Sequence, residues 1–254
     1  MSGSRFNDVE LILVHGSFPY NPQPADPAIS RMDSVHRCAV AFLFRSYGTR
    51  ADAVMHVLFS DGALRLTGKI RQDFPKGRGA AWAGPFLTAV RKQGAGASFA
   101  RYRPGESMAS TTQRLVRPGS VCLALDSEGT QMQTRAAPSE ECLGRCPTSV
   151  TFVVGGPRGY QPSNFAAVSV YLRDAAGRNF CALSLPGPQQ FASSVISYLQ
   201  ISNETNALRP AVAQTFYQRP QEGARTERVK FEWVARRSDI YTCVRKMKGA
   251  QLLF

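Results

Sequence analysis

Histidine and acidic side chains are scarce in this chain of 254 residues. It has three His, and its 18 Asp and Glu face 31 Lys and Arg, which leaves a formal net charge of +13 at pH 7. Cys142 and Cys146 have no second Cys or His pair at ligand spacing, so a zinc site is not expected. His36 and His56 lack acidic neighbours of the triad type and are interpreted as structural. The positive charge favours a polyanionic partner such as RNA.

Long apolar runs are absent as well. No stretch approaches the ~20 uncharged apolar residues of a membrane helix, so we expect no membrane partner. The N-terminus has no apolar segment of the signal type, and the six cysteines are scattered, with Cys38 and Cys122 inside apolar runs. We therefore expect free thiols in a reducing compartment, the cytoplasm, with the mitochondrion as the alternative. Hydrophobic residues at 43% exclude a globally disordered chain.

Strand and helix patterns alternate along the chain and predict an α/β fold with a mostly parallel sheet. The predicted strands are Val9–Val14, Ala53–Phe59, Ala63–Ile70, Val121–Leu125, Ser149–Val154 and Asn179–Leu185, and the predicted helices are Arg31–Tyr47, Pro85–Lys92 and Gln189–Leu199. Segments 94–113 and 127–147 are predicted to be surface loops. We divide the chain into a domain at 1–202 and a basic C-terminal extension at 203–254, with strand-like runs at 228–234 and 240–244.

Two predicted strands run into turns that can bring backbone groups close to a ligand. The first turn is Gly155-Gly156-Pro157-Arg158-Gly159, and the second is Pro186-Gly187-Pro188. Neither has the spacing of a dinucleotide Gly-x-Gly-x-x-Gly motif or of a phosphate loop. If both turns face one crevice at the carboxyl edge of a parallel sheet, that crevice is apolar and lined by backbone, which suits an adenosine-containing ligand. The alternative is two ordinary turns.

These turns carry a family resemblance. Phe-Val-Val-Gly-Gly-Pro-Arg-Gly at 152–159 and Leu-Ser-Leu-Pro at 183–186, with a helix after them, resemble the S-adenosylmethionine-binding half of the SPOUT RNA methyltransferases. Ser-Arg-Met-Asp-Ser-Val-His-Arg-Cys at 30–38 and Arg-Ala-Asp-Ala-Val at 50–54 resemble the archaeal tRNA pseudouridine N1-methyltransferase family within that superfamily. The resemblance covers residues 9–201.

The resemblance implies a trefoil knot in the C-terminal half, a homodimer and bound S-adenosylmethionine. It implies an activity, methylation of N1 of a pseudouridine in tRNA or rRNA. The implied cofactor-binding residues are Val154, Gly155, Gly156, Gly159, Leu183, Ser184, Leu185 and Pro186. The implied catalytic residues, which would face the RNA or the reacting base, are Arg31, Asp33 and Arg37.

Two departures from the family pattern motivate an alternative function. Gly156 stands where the family has an acidic residue, and Ser193 and Ser194 stand where it has a His-Cys pair. A relative that has lost catalysis would bind RNA as an assembly factor of the ribosome or the mitochondrial ribosome. A more remote alternative is an unrelated enzyme that binds ATP or NAD with the same two turns.

Several basic residues are candidates for RNA contacts. Lys76 and Arg78 lie in a glycine-rich loop that lets the backbone approach phosphates, and Arg158 lies in the first of the two turns. The basic and aromatic residues of 203–254 fit either an RNA-contacting platform or an added sheet edge. For Arg31 and Arg37 the alternative is a solvated helix surface, on which Asp33 forms a weak ion pair with Arg37.

Overall fold

A seven-stranded sheet organises the chain in the computed structural model. The structure describes residues 5–16, 18–20, 31–45, 48–68, 90, 99–106, 111, 114–116, 118–132, 138–156, 170–185, 191–217, 231–236 and 240–245. The strands are β1 (Asp8–Val14), β2 (Phe44–Arg45), β3 (Gly48–Thr49), β4 (Val54–Leu58), β5 (Gly62–Thr67), β6 (Ala100–Pro104), β7 (Val121–Gln131), β8 (Ser149–Gly155), β9 (Phe180–Ser184), β10 (Phe231–Arg236) and β11 (Ile240–Arg245). The helices are α1 (Met32–Leu43), α2 (Glu140–Arg145), α3 (Ala192–Glu204) and α4 (Leu208–Phe216), with further helical residues at 170–176 and a 3-10 turn at Gly177–Asn179.

The strand order of the large sheet is β6-β5-β4-β1-β8-β7-β9. The five strands from β4 to β9 in this order pair in parallel, whereas β5 and β6 are antiparallel additions at one edge. The prediction of an α/β fold with a mostly parallel sheet is therefore confirmed. β8 lies between β1 and β7, so the chain inserts a later strand between two earlier ones.

Apolar layers cover both faces of the sheet. Side chains alternate along β1, so Leu11 and Leu13 face the helices α1, α3 and α4, whereas Ile12 and Val14 face residues 170–176 on the other side. All four side chains are buried. Burial on both faces explains why the central strands are continuous apolar runs rather than alternating ones.

Two segments predicted as loops contain strands. β6 lies in 94–113, where Arg101 and Arg103 are exposed because an edge strand buries only part of its side chains. β7 continues to Gln131 because it pairs with β9 twice, with a register shift between Leu125 and Thr130. The predicted hairpin of β4 and β5 is confirmed. The predicted helix at 31–47 is shorter, because after Leu43 the chain turns into the antiparallel pair of β2 and β3.

The sequence-based domain boundary at 202/203 falls inside α3. Asn203, within α3, exchanges two hydrogen bonds with the backbone of Phe6, at 2.9 and 3.1 Å. Beyond it, Leu208 and Val212 of α4 are buried in the core. Further on, β10 and β11 form an antiparallel pair in the region with strand-like runs. Apart from Val90, the predicted helix at 85–92 lies outside the described residues.

Five cysteines of the described residues are free and buried. They are Cys38, Cys122, Cys142, Cys146 and Cys181. Burial raises the pKa of Cys38 to about 12 and that of Cys146 to about 11, so both thiols stay protonated at neutral pH. Among the described residues, no three His, Cys, Asp or Glu side chains are grouped as metal ligands. No helix in the same parts of the chain is long and apolar enough to cross a membrane.

Candidate functional site at the carboxyl edge of the sheet

Helices α1 and α3 both begin at the edge where the parallel strands end. The C-terminal part of α3 lies at the edge where the parallel strands begin, because Asn203 is hydrogen-bonded to Phe6, which precedes β1. α1 ends beside it, where the Gln200 amide donates to the Phe42 carbonyl at 3.4 Å. The helices have 12 and 13 residues, and helices of that length span about 18–20 Å, close to the length of a five- to seven-residue strand. Their first turns therefore reach the carboxyl edge.

The end of β8 lies directly against the end of β1. Gly156 donates its N–H to the Val14 carbonyl at 2.8 Å, which extends the pairing of Gly155 with Val14 by one residue. A Cβ built on Gly156 would lie 2.9 Å from His15 Nδ1 and 3.0 Å from the Val14 carbonyl oxygen. Glycine is favoured here by space, since a Cβ would force the His15 side chain or the Val14 carbonyl to move.

The end of β9 is held by an equally close backbone contact. A Cβ built on Gly129 would lie 2.7 Å from the Leu183 carbonyl carbon. The residues after the register shift of β7 pair with Leu183 and Ser184, and Met132 N donates to the Ser184 carbonyl at 3.3 Å. Leu183 is buried, whereas Ser184 and Leu185 are half-buried. This strand end therefore combines an apolar wall with backbone groups near the surface.

Arg31, Asp33 and Arg37 form one ion-pair cluster at the start of α1. Asp33 accepts from Arg31 Nε at 3.1 Å and from Arg37 Nη2 at 3.0 Å, and all three side chains are exposed to a similar extent. Arg31 has φ 48°, in the left-handed region that non-glycine residues rarely adopt. Its conformation turns the chain into α1 and sets the guanidinium beside Asp33.

Asp33 is the ionised centre of this cluster. Partial burial raises its pKa, but the hydrogen bond and charge of Arg31 and the charge of Arg37 outweigh this, so the pKa lies below the usual value. An ionised carboxylate shared by two arginines is a poor proton acceptor at neutral pH. Its role is to orient the two guanidinium groups.

Aromatic rings connect His15 to the antiparallel edge of the sheet. His15 packs against Phe18 and Phe59 with centroid distances of 5.0 and 5.3 Å. Phe59 contacts Tyr20 at 5.3 Å, and Tyr20 stacks on Tyr102 at 3.9 Å. The array supports the backbone at the ends of β1 and β4.

The structure brings several sequence-predicted site residues to this one edge. β8 ends with Val154 and Gly155 and is followed by Gly156, and β9 ends with Leu183 and Ser184 and is followed by Leu185. Arg31 precedes α1, Asp33 lies in its first turn, and Arg37 lies one turn further along. Ser193 and Ser194 lie in the first turn of α3. The predictions for Gly159, Pro186, Lys76, Arg78 and Arg158 fall outside the described residues.

Sequence reasoning missed two residues of the edge. His15 follows directly on a buried strand, and the rule that ligands bind beyond the carboxyl ends of parallel strands was enough to find it. Gly129 carries no such signal, because its contact with Leu183 arises only from the second pairing of β7 with β9.

Comparison with protein-family models finds no matching family, and comparison with curated proteins finds no matching protein. Functional inference therefore depends on the sequence motifs and on the geometry of this edge.

Proposed function

We propose that the protein is an S-adenosylmethionine-dependent RNA methyltransferase of the SPOUT type. Its proposed substrate is a pseudouridine, or a closely related uridine, in tRNA or rRNA, and its proposed product carries a methyl group on N1. The proposed fold includes the trefoil knot of that superfamily, formed around the ends of β8 and β9, and the proposed active form is a homodimer.

The convergence of separate motifs at one edge carries the proposal. Three features meet at the carboxyl edge of the same parallel sheet: the glycine end of β8, the Leu-Ser-Leu end of β9 and the Arg31–Asp33–Arg37 cluster. In the sequence, the cluster is more than a hundred residues from either strand end. Ligands of open α/β sheets bind at this edge. A helix that connects two parallel strands begins at this edge in any such fold, so the support comes from the charged residues that α1 carries there, Arg31, Asp33 and Arg37.

The residues at the strand ends fit an adenosine-containing cofactor. Val154 and Leu183 supply buried apolar surface, and Gly155 and Ser184 are half-buried, so their backbone groups reach the surface. The close contact of Gly156 with His15 keeps side chains out of the floor of the site. S-adenosylmethionine supplies an electrophilic methyl group on a sulfonium, whose thioether leaving group needs no acid catalyst.

The chain's own task is then to orient the base and to stabilise charge on it. N1 of a pseudouridine loses its proton as it becomes the nucleophile, and negative charge spreads onto the neighbouring carbonyl oxygens. Arg31 and Arg37, oriented by Asp33, are suited to donate hydrogen bonds to those oxygens. Because Asp33 stays ionised between two guanidinium groups, the proton leaves to solvent rather than to Asp33.

An exposed apolar stripe on α3 supports the homodimer. Phe191, which precedes α3, is 79% exposed, and Ile201 and Tyr198 are 59% and 38% exposed. Their spacing of seven and three residues puts them on one side of the helix. Large apolar side chains in such a row are typical of an interface.

The alternative is an RNA-binding assembly factor without methyl transfer. One observation favours it, namely that Gly156 has no room for the acidic side chain of the family pattern. The first turn of α3 carries Ser193 and Ser194 rather than a His-Cys pair.

Calorimetric titration with S-adenosylmethionine tests the cofactor site. We expect binding in the micromolar range and no comparable binding of ATP or NAD. Gly156→Ala should weaken the affinity at least tenfold, because the backbone of the site must move away from His15. Gly144→Ala is the matched control, since a Cβ at Gly144 meets nothing within 4 Å. A preference for ATP or NAD would instead support the unrelated nucleotide-binding enzyme.

Transfer of a tritiated methyl group to tRNA or rRNA transcripts containing pseudouridine separates enzyme from assembly factor. We expect transfer by the wild-type protein. Asp33→Asn should lower the rate by about 10²-fold, because oriented charge stabilisation contributes at that scale, while cofactor affinity stays unchanged. Cofactor binding without transfer to any RNA would favour the assembly factor, and no binding at millimolar cofactor would refute the methyltransferase.

A further inference from the structure

The antiparallel edge of the sheet carries a cluster of arginines that the cofactor site does not use. On β5 and β6, Arg65 and Arg101 oppose each other directly, and Arg103 follows on the same face as Arg101. Arg114 belongs to the short segment 114–116 that packs over this face. All four side chains are exposed. We call these four residues the edge arginines.

The edge arginines are only partly neutralised. Glu106 pairs with Arg103 at 3.7 Å and with Arg114. Within the described part of the chain, Arg65 and Arg101 form no salt bridge. Like charges that oppose each other across a strand pair repel, so this pair costs stability in the free protein. A bound polyanion removes that repulsion.

Three of the edge arginines also act on the pKa of a buried neighbour. His56 lies next to Arg65 in the cross-strand row. Burial lowers its pKa, and the charges of Arg65, Arg114 and Arg103 lower it further, to about 3. The imidazole is therefore neutral near neutral pH and contributes no charge to this surface.

Protection of an exposed edge strand is the simplest competing explanation, because charged residues on an edge strand block aggregation. That explanation covers Arg101 and Arg103 on β6. It does not cover Arg65, which lies on the inner strand β5, or Arg114, which lies outside the sheet.

The edge arginines are aligned with the candidate cofactor site. One row of paired residues crosses five neighbouring strands: Gly155 of β8, Val14 of β1, Leu58 of β4, Ala63 of β5 and Arg103 of β6. Four strand spacings put Arg103 about 19 Å from Gly155. One strand of a nucleic-acid duplex covers that distance in about six nucleotides.

We infer that the edge arginines bind the RNA phosphate backbone about six nucleotides from the base held at the cofactor site. This inference rests on the proposed function, in that RNA is the polyanion. Phosphate is recognised here by guanidinium charge and hydrogen bonds, so the contacts position the RNA without reading its sequence. Selection of the substrate base therefore depends on the residues at the carboxyl edge of the sheet, where the candidate cofactor site lies.

Fluorescence anisotropy with an unmodified tRNA transcript, titrated over a range of salt, tests the inference. At 0.1 M salt each lost phosphate contact should weaken affinity about 5- to 8-fold and reduce the salt slope by about 0.7–0.9. We expect such losses for Arg65→Gln and Arg101→Gln, and both losses together in the double variant. Arg65→Lys with Arg101→Lys should retain most of the slope, because both charges remain.

Arg178→Gln is the matched control. Arg178 is also exposed, but it precedes β9, the outermost strand on the side of the sheet away from β6. Its affinity and slope should equal those of the wild type. If Arg178→Gln loses as much affinity as the edge variants, net charge alone explains RNA binding. If the double variant of Arg65→Gln and Arg101→Gln keeps its affinity, the arginines serve only to protect the edge strand. Either result overturns the inference. Titration of the same variants with S-adenosylmethionine distinguishes the two proposals. RNA affinity, measured without methyl transfer, tests the edge arginines, and cofactor affinity tests the cofactor site.

Discussion

Adding one methyl group at Gly156 tests the close contact between β8 and β1. In Gly156→Ala the new Cβ lies 2.9 Å from His15 Nδ1 and 3.0 Å from the Val14 carbonyl oxygen. Gly156 does not have a positive φ, so alanine adopts its backbone conformation without torsional strain. The effect is therefore one of crowding, which costs about 1–3 kcal/mol in a packed interior. For a chain of this size, that lowers Tm by about 2–6 °C.

A double-mutant cycle with His15→Ala identifies the neighbour responsible. Removing the imidazole leaves only the Val14 carbonyl near the new methyl group. We therefore expect Gly156→Ala to cost less in the His15→Ala background, with a coupling energy of about 0.5–2 kcal/mol. Unfolding in urea, followed by circular dichroism, measures all four proteins.

The control for backbone effects is Gly144→Ala, in the last turn of α2. No atom lies within 4 Å of a Cβ there, so alanine should stabilise the protein by about 0.5–1 kcal/mol. Opposite signs at the two glycines are the expected pattern. If Gly156→Ala is neutral, or costs the same with and without His15, the assignment of the contact is wrong.

Three further predictions concern the core, the pH dependence and the assembly. Asn203→Leu removes both hydrogen bonds to the Phe6 backbone and should destabilise the protein by about 2–4 kcal/mol in thermal unfolding; a loss below about 0.5 kcal/mol would contradict the pairing. His56 has a pKa of about 3 in the folded protein against 6.5 ordinarily, so its neutral form stabilises the fold above pH 6.5, and this contribution falls by about 1.4 kcal/mol per pH unit as the pH drops towards 3. His56→Asn should flatten the measured dependence of unfolding free energy on pH, and an unchanged slope would refute this origin. Ile201→Glu should shift sedimentation from dimer to monomer, whereas Val170→Glu, an equally apolar exposed position on the other face of the sheet, should not; a wild-type monomer would contradict the proposed dimer.

Elements with strong apolar runs are predictable from the sequence alone. β1 and β8 are buried strands and β9 is a partly buried one, and all three end at or within one residue of the predicted positions. The β4–β5 hairpin follows from two apolar runs joined by Ser60-Asp61-Gly62. A continuous apolar run is typical of a parallel strand that is covered on both faces, which is why β1 and β8 can be predicted from the sequence. The helical spacing of three and four residues likewise determined α1 and the position of Asp33 relative to Arg37.

Contacts between distant groups depend on the strand order and cannot be predicted from any single segment. The contact of Gly156 with His15, and that of Gly129 with Leu183, join segments more than fifty residues apart through the strand order. β6 was invisible in the sequence, because an edge strand with two arginines among five residues buries too little surface to show a pattern. The alignment of Arg103 with Gly155 likewise depends on four strand registers, and a register is a property of pairing that no single segment contains.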